Sequence, residues 1–120
     1  REEQYRKKVI DSFFEYGKLK NIPAQRKKEK ICLEEIAKSF EPGRDYTEKE
    51  VNLIIADFND DFCTIRRDMI GFGLFERQQS MYRLKNNAWQ AIRSVIESRT
   101  NKSMERQTDL YEPVSIKETE

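Results

Sequence analysis

Few side chains in this chain suit acid–base or metal chemistry, and histidine does not occur at all. Its absence removes the commonest general base and one member of any Ser-His-Asp triad. The two cysteines, Cys32 and Cys63, cannot complete a four-ligand zinc site. Asp60 and Asp61 form a carboxylate pair without an evident third ligand, and Asp60 also suits a helix cap. We therefore predict no enzyme activity, no metal and no cofactor.

Arginine and lysine are the side chains that remain for binding, and they occur in three groups. Arg forms bidentate bonds to guanine or neutralises phosphate, Lys neutralises phosphate, and Thr reaches phosphate or a thymine methyl. The predicted nucleic-acid contacts are Thr64, Arg66 and Arg67 on one helix, Arg77, Arg83 and Lys85 on the segment after it, and Arg26, Lys27 and Lys28 upstream. The alternative is an ordinary surface network in which Arg66 or Arg67 pairs with Asp60, Asp61 or Asp68.

The charges nearly cancel overall but are segregated along the chain. Lys+Arg is 23 and Asp+Glu is 22, so the net charge is +1. Residues 1–30 hold ten basic and five acidic side chains (+5), and residues 31–60 hold three and eight (−5). Residues 61–98 hold six and four (+2), and residues 99–120 hold four and five (−1). A duplex contact is compatible with this distribution, but we expect it to be modest and to depend on a few arginines.

Hydrophobic periodicity predicts four helices that position these groups. They span residues 2–16, 23–40, about 47–58 and 61–72. The third begins with Thr47-Glu48-Lys49-Glu50, which has the spacing of a capping box. On the fourth, Phe62, Ile65, Met69 and Phe72 form the apolar face, so Thr64, Arg67 and Asp68 should point outward with Arg66 at the flank.

Two short β-prone runs within residues 74–84 predict an antiparallel hairpin after the fourth helix. Asn87 begins a last predicted helix that bears Trp89, and residues 99–120 are polar enough to be disordered. We predict one domain over residues 1–98: mostly α with a small β-hairpin, a winged helix-turn-helix with extra N- and C-terminal helices. The recognition helix would be 61–72 and the wing 74–84.

The cysteine spacing and the short apolar runs favour a cytoplasmic protein. Cys32 and Cys63 lie among apolar residues without a CxxC spacing, so buried, reduced thiols are expected; a disulfide or redox switch is the alternative. Apolar runs are only a few residues long, which predicts no membrane span. The chain opens on Arg1 without a signal region, so we expect a piece of a longer cytoplasmic protein.

Two stretches of sequence resemble known families. Thr64-Ile65-Arg66-Arg67-Asp68-Met69 resembles the TIRRDL stretch in the recognition helix of DeoR-type winged-helix repressors. A longer series, FEPGR at 40–44, YTEKEVN at 46–52 and DDF.TIRR at 60–67, resembles a bacterial domain-of-unknown-function family, number 2087. Gly17 to Lys28 is similar to that family's upstream segment, and the resemblance covers roughly residues 13–84.

This second resemblance implies a bacterial, cytoplasmic regulatory protein, because family members occur in transcription regulators, sometimes behind a separate helix-turn-helix domain. It implies no specific activity. Members tend to finish with a strand such as YWR, whereas Met81-Tyr82-Arg83-Leu84 keeps the Tyr and Arg without the Trp.

These observations predict a transcription-regulator domain that binds double-stranded DNA. The alternative is a regulatory, dimerisation or protein-interaction module of a larger regulator that does not itself touch DNA. A homodimer would use the first helix, with Phe13 and Phe14, or the last, with Trp89; either stripe equally suits the core.

Overall fold

The computed structural model describes residues 1–86 of the chain, which form four helices and five short strands. In chain order these are α1 (Glu2–Phe13), β1 (Phe14–Glu15), β2 (Lys18–Leu19), α2 (Arg26–Ala37), β3 (Tyr46–Thr47), α3 (Glu48–Ala56), α4 (Phe62–Gly71), β4 (Phe75–Gln78) and β5 (Met81–Leu84). The strands form two antiparallel sheets, one of β1 and β2 and one in the order β3-β5-β4. The predicted helix from Asn87 and the tail at 99–120 lie outside the described residues.

A hairpin ends the first helix three residues earlier than predicted. The chain turns at Tyr16 and Gly17, whose φ angles of 54° and 77° are the positive values that a two-residue type I′ loop requires. Phe14 then pairs with Leu19, which is buried. The backbone N–H of Leu19 donates to the Phe58 carbonyl at 2.8 Å, and this contact fixes the hairpin against the end of α3.

The second helix is shorter than predicted at both ends. It begins at Arg26 and ends at Ala37, and Pro23, predicted as its first residue, is buried in the link that precedes it. Two tight turns after Ala37 carry the chain to Phe40, whose ring is buried. The buried face of α2 supplies much of the core, with Ile31, Cys32, Leu33, Ile36 and Ala37.

The capping box predicted for the third helix is confirmed. The Glu50 N–H donates to Thr47 Oγ1 at 3.1 Å, and the Thr47 N–H donates to Glu50 Oε1 at 2.8 Å. Immediately before it, Tyr46 pairs with Tyr82 of β5 in a strand that the sequence pattern did not predict. Two residues are too few to show an alternating pattern, which explains the omission.

The fourth helix and the following hairpin lie where they were predicted. Asp61 caps α4 by accepting from the Thr64 N–H at 3.4 Å, and the chain leaves the helix through Gly73 with a φ of 78°. Ile65 and Met69 are fully buried, as predicted. Phe62 and Phe72 are only partly buried against the core.

Aromatic side chains join the three-stranded sheet to the end of α2. The Phe40 ring packs edge-on against Tyr46 and Phe75, with centroids 5.1 and 4.8 Å apart, and Phe75 contacts Tyr82 in the same way. Such edge-to-face pairs add about 0.5–1.5 kcal/mol each beyond their buried area. No helix within residues 1–86 has the length and apolar character that a membrane span needs.

Candidate nucleic-acid interface

Arg67 projects from α4 on the side opposite the core. Its neighbours Ile65 and Met69 are fully buried, whereas Arg67 is exposed. Among residues 1–86, no hydrogen bond or ion pair holds its guanidinium. The five N–H donors of this side chain are therefore available to an external acceptor.

Arg66 is held between α4 and α3. Its side chain is only 17% exposed, donates a hydrogen bond to Asn52 Oδ1, and lies 4.0 Å from a Glu48 carboxylate oxygen. The alternative that paired Arg66 with Asp60, Asp61 or Asp68 does not hold, because α3 packs against α4 and brings Asn52 and Glu48 closer to it. Arg66 thus joins the two helices.

Asp68 was predicted to point outward, but it contacts Glu29 of α2. Burial, and after it the hydrogen bond and charge of Asp68, together raise the pKa of Glu29 from 4.5 to about 7 against a lowering by Arg26. The raised pKa keeps Glu29 partly protonated near neutral pH, so its carboxyl group can donate a shared proton to Asp68. Thr64, by contrast, stays half-buried near the start of α4.

The three basic side chains of the β4–β5 hairpin differ in how they are held. Arg83 donates from Nε to Asp45 Oδ1 at 2.8 Å, and this carboxylate raises the pKa of Arg83. Arg77 donates to the Gln79 carbonyl at 3.0 Å and lies 5.7 Å from the centre of the Tyr82 ring. Lys85 is half-buried, and its backbone N–H donates to Leu74.

The basic run at the start of α2 divides between two neighbours. The Arg26 guanidinium lies 4.3 Å from the centre of the Phe72 ring, at the C-terminal end of α4. Lys27 Nζ instead lies 4.7 Å from the centre of the Tyr5 ring on α1. Lys28 is half-buried and lines a groove between α1 and α2. The structure therefore does not bring the three predicted side chains to one place.

The two cysteines have opposite environments. Cys32 is fully buried, as predicted, and burial raises its thiol pKa to about 12. Cys63 is exposed, so its predicted burial is wrong. It occupies the outer side of α4, one helical position from the apolar stripe, where Arg66 Nη1 lies 4.0 Å from its sulfur. Within residues 1–86, no three Cys, Asp or Glu side chains come close enough to hold a metal.

Three exposed side chains were not predicted as candidate binding residues from the sequence. Tyr16 at the tip of the β1–β2 hairpin is 94% exposed, and Leu53 on α3 is 62% exposed. Lys8 on α1 lines the same groove as Lys28. Of the three, only Tyr16 has a signal in the sequence. It directly precedes Gly17 at the end of a helical pattern, and a glycine at such a place is typical of a turn.

One comparison with known proteins gave a match. Residues 18–84 match the family described as "Uncharacterized protein conserved in bacteria", domain-of-unknown-function family 2087. The match covers β2 to β5 and therefore includes all of α4 and the β4–β5 hairpin. Neither a curated protein nor a solved structure matches the chain significantly.

Proposed function

The chain belongs to domain-of-unknown-function family 2087, and we propose that it is a winged helix-turn-helix domain of a bacterial transcription regulator that binds double-stranded DNA. In this proposal α4 is the recognition helix and the β4–β5 hairpin is the wing. It acts in the cytoplasm without a cofactor.

The order of elements supports the winged-helix assignment. A helix, a short strand, two helices and a hairpin follow one another as α2, β3, α3, α4 and β4–β5. Strand β3 pairs with β5 of the hairpin, so the wing is anchored to the start of α3. A helix-turn-helix with this anchor presents its second helix to a major groove and its hairpin to the flanking backbone.

The observation that carries the DNA proposal is the exposed guanidinium of Arg67 on α4, which has no hydrogen bond or ion pair within residues 1–86. An arginine at such a position reads guanine or binds phosphate without first losing a partner. Thr64 lies on the same helix as Arg67, and Arg77 lies on the wing. Both contribute phosphate contacts, as does Lys85. Arg66 and Arg83 must exchange their carboxylate partners for phosphate, which lowers their net contribution.

A binding assay with a matched charge control tests the proposal. A labelled duplex of about 20 base pairs is titrated with the full chain at about 25 mM salt. We expect Arg67→Ala to weaken binding about tenfold and to reduce the salt slope by about one. Lys20→Ala removes the same charge from an exposed site near β2 and should change binding less than about twofold.

Thermal unfolding completes this test, since the Arg67 side chain is exposed and makes no hydrogen bond or ion pair within residues 1–86. Its alanine variant should keep the free energy of unfolding within about 0.5 kcal/mol of the parent chain. Absence of duplex binding at low salt, or an equal loss in the two variants, contradicts the proposal for this chain.

The two exposed apolar side chains favour a second function, protein interaction without DNA contact. Tyr16 and Leu53 are the large hydrophobic side chains most exposed to solvent within residues 1–86. A homodimer through α1 belongs to this class. Sedimentation of the parent chain and of Tyr16→Ser/Leu53→Ser tests it: a dimer that the double substitution dissociates, together with no duplex binding, supports this second function.

A further inference from the structure

We propose that the groove between α1 and α2 binds the phosphoryl group of an organic phosphate, with Lys8 and Lys28 as its cationic contacts. This groove is separate from α4 and the wing. The proposal therefore does not depend on DNA binding by α4.

The groove has the shape of a small binding site. Its cavity has a volume of about 240 Å³ and is lined by Tyr5, Lys8, Val9, Ser12, Phe13 and Lys28. Val9 is buried and Phe13 is partly buried against the core, so the floor is apolar and fixed. Sites for drug-sized ligands begin at about 300 Å³, so this groove suits a phosphoryl group with a small organic part.

The lining is cationic and contains no carboxylate. Lys8 and Lys28 stand on different helices, and neither side chain has an ion pair or hydrogen bond among residues 1–86. Lys27 adds a third ammonium group 4.7 Å from the centre of the Tyr5 ring, beside the same groove. Three positive charges held together without a counterion favour an anionic ligand.

The acidic side chains of α1 and α2 that could neutralise these lysines are engaged elsewhere. Asp11 pairs with Lys7 at 2.9 Å, and Glu34 pairs with Arg6 at 2.5 Å. Glu29 follows Lys28 directly but contacts Asp68 of α4. The fold thus withdraws carboxylates from the groove and leaves its lysines uncompensated.

The hydroxyl groups determine how a phosphate would lie in the groove. Ser12 Oγ already donates to the Lys8 carbonyl at 2.8 Å, so it does not donate to the ligand. The Tyr5 hydroxyl has no partner within residues 1–86 and can donate to a phosphate oxygen. Ammonium groups on flexible stems bind phosphate as point charges, and the apolar floor receives the ester carbon atoms.

Two sources carry this chemistry: a free nucleotide or sugar phosphate, and the backbone of a nucleic acid. Backbone amide signals of the full chain are followed by NMR during separate additions of inorganic phosphate, AMP and a duplex of about 20 base pairs. We expect phosphate and AMP to shift the signals of Lys8, Ser12 and Lys28. AMP should saturate these shifts in the low-millimolar range or below, which corresponds to a binding free energy of about 4 kcal/mol.

Matched variants identify the groove as the cause. Lys8→Gln/Lys28→Gln should weaken AMP binding at least about fivefold, whereas Lys8→Arg/Lys28→Arg keeps the charge and should retain binding within about twofold. Lys20→Gln/Lys30→Gln removes the same charge from two exposed positions outside the groove, at side chains that pair with no carboxylate among residues 1–86, and should change binding less than about twofold. If the first double variant does not fold, Lys8→Gln alone, at an exposed position, should weaken binding about threefold.

Three outcomes separate the sources from each other and from failure. AMP binding that the duplex does not compete with assigns the groove to a small phosphorylated ligand. Competition between AMP and duplex for these same signals assigns it to nucleic-acid backbone. No shift up to about 10 mM AMP, or equal losses in the Lys8/Lys28 and Lys20/Lys30 variants, overturns the proposal. A duplex that shifts only α4 signals would then still support DNA binding.

Discussion

Two regions of this molecule carry positive side chains, and they differ in whether those charges are compensated. On α4 and the wing, Arg66 and Arg83 contact carboxylates of Glu48 and Asp45. In the α1–α2 groove, Lys8 and Lys28 have no such partner among residues 1–86. Arg67, Arg77 and Lys85 also lack a carboxylate partner among residues 1–86, so α4 and the wing mix paired and available charges, whereas both groove lysines are available.

The difference shows that the number of basic residues in a segment does not measure its capacity to bind anions. Arg67 is the exception on α4, because the helix turns it away from every carboxylate that neutralises its neighbours. An arginine already bound to a carboxylate must lose that contact before it can bind phosphate, and the exchange leaves little net gain. Weak duplex binding dominated by Arg67 is the expected consequence.

The largest expected effect is the difference between the rates at which a thiol reagent modifies Cys63 and Cys32. Cys63 is exposed on α4, whereas Cys32 is fully buried with a pKa of about 12. A thiol-specific reagent at neutral pH should modify Cys63 at least about 100-fold faster than Cys32, since the thiolate is the reactive form. Added duplex should slow Cys63 modification, and added AMP should not.

Mass spectrometry of the labelled chain locates the modified cysteine, and Cys63→Ser is the control that should remove the fast phase. Equal protection of Cys63 by duplex and by AMP would show that the two regions are not separate sites.

A smaller effect follows from releasing one paired arginine. Asp45→Asn removes the carboxylate that accepts from Arg83, so the guanidinium becomes available to phosphate. We expect duplex affinity to rise about threefold at low salt. Glu15→Gln removes an equal charge from exposed strand β1 and serves as the control. An equal gain in both variants would mean that overall charge, rather than the pairing of Arg83, limits binding.

The smallest effect concerns Glu29, which separates the groove from α4. Its pKa is about 7 in the folded chain, against 4.5 as the ordinary value. Between those pH values the folded chain binds more protons than the unfolded chain, so stability falls as pH rises through this window. Above it Glu29 is ionised in both states, and the folded chain carries the cost of burying the Glu29 carboxylate together with its repulsion by Asp68.

Thermal unfolding of Glu29→Gln measures this cost. The variant should match the parent chain near about pH 4.5 and unfold a few degrees higher at about pH 8. Glu2→Gln, at an exposed position in the first turn of α1, should lack this pH-dependent gain. A constant difference between Glu29→Gln and the parent chain at both pH values would show that the carboxylates do not share a proton.

Local patterns predicted the elements that depend on near neighbours. The capping box at Thr47, the buried pair Ile65 and Met69 and the hairpin after α4 follow from spacings of two to four residues, and the structure contains all three. The β1–β2 hairpin was missed because Phe13 and Phe14 continue the apolar stripe of α1 up to the turn. Strand β3 was missed because it exists only through its pairing with β5.

The sequence by itself determined where the four helices lie to within three residues at each end, which of their faces are apolar, and that no histidine chemistry is possible. Only the tertiary structure decided which charges are free. Arg66 binds Asn52, Arg83 binds Asp45 and Arg6 binds Glu34, and these partners are 14, 38 and 28 positions apart in the chain. Electrostatic pairing acts over a few ångströms in space, so side chains that neutralise one another become neighbours only when the helices and strands pack.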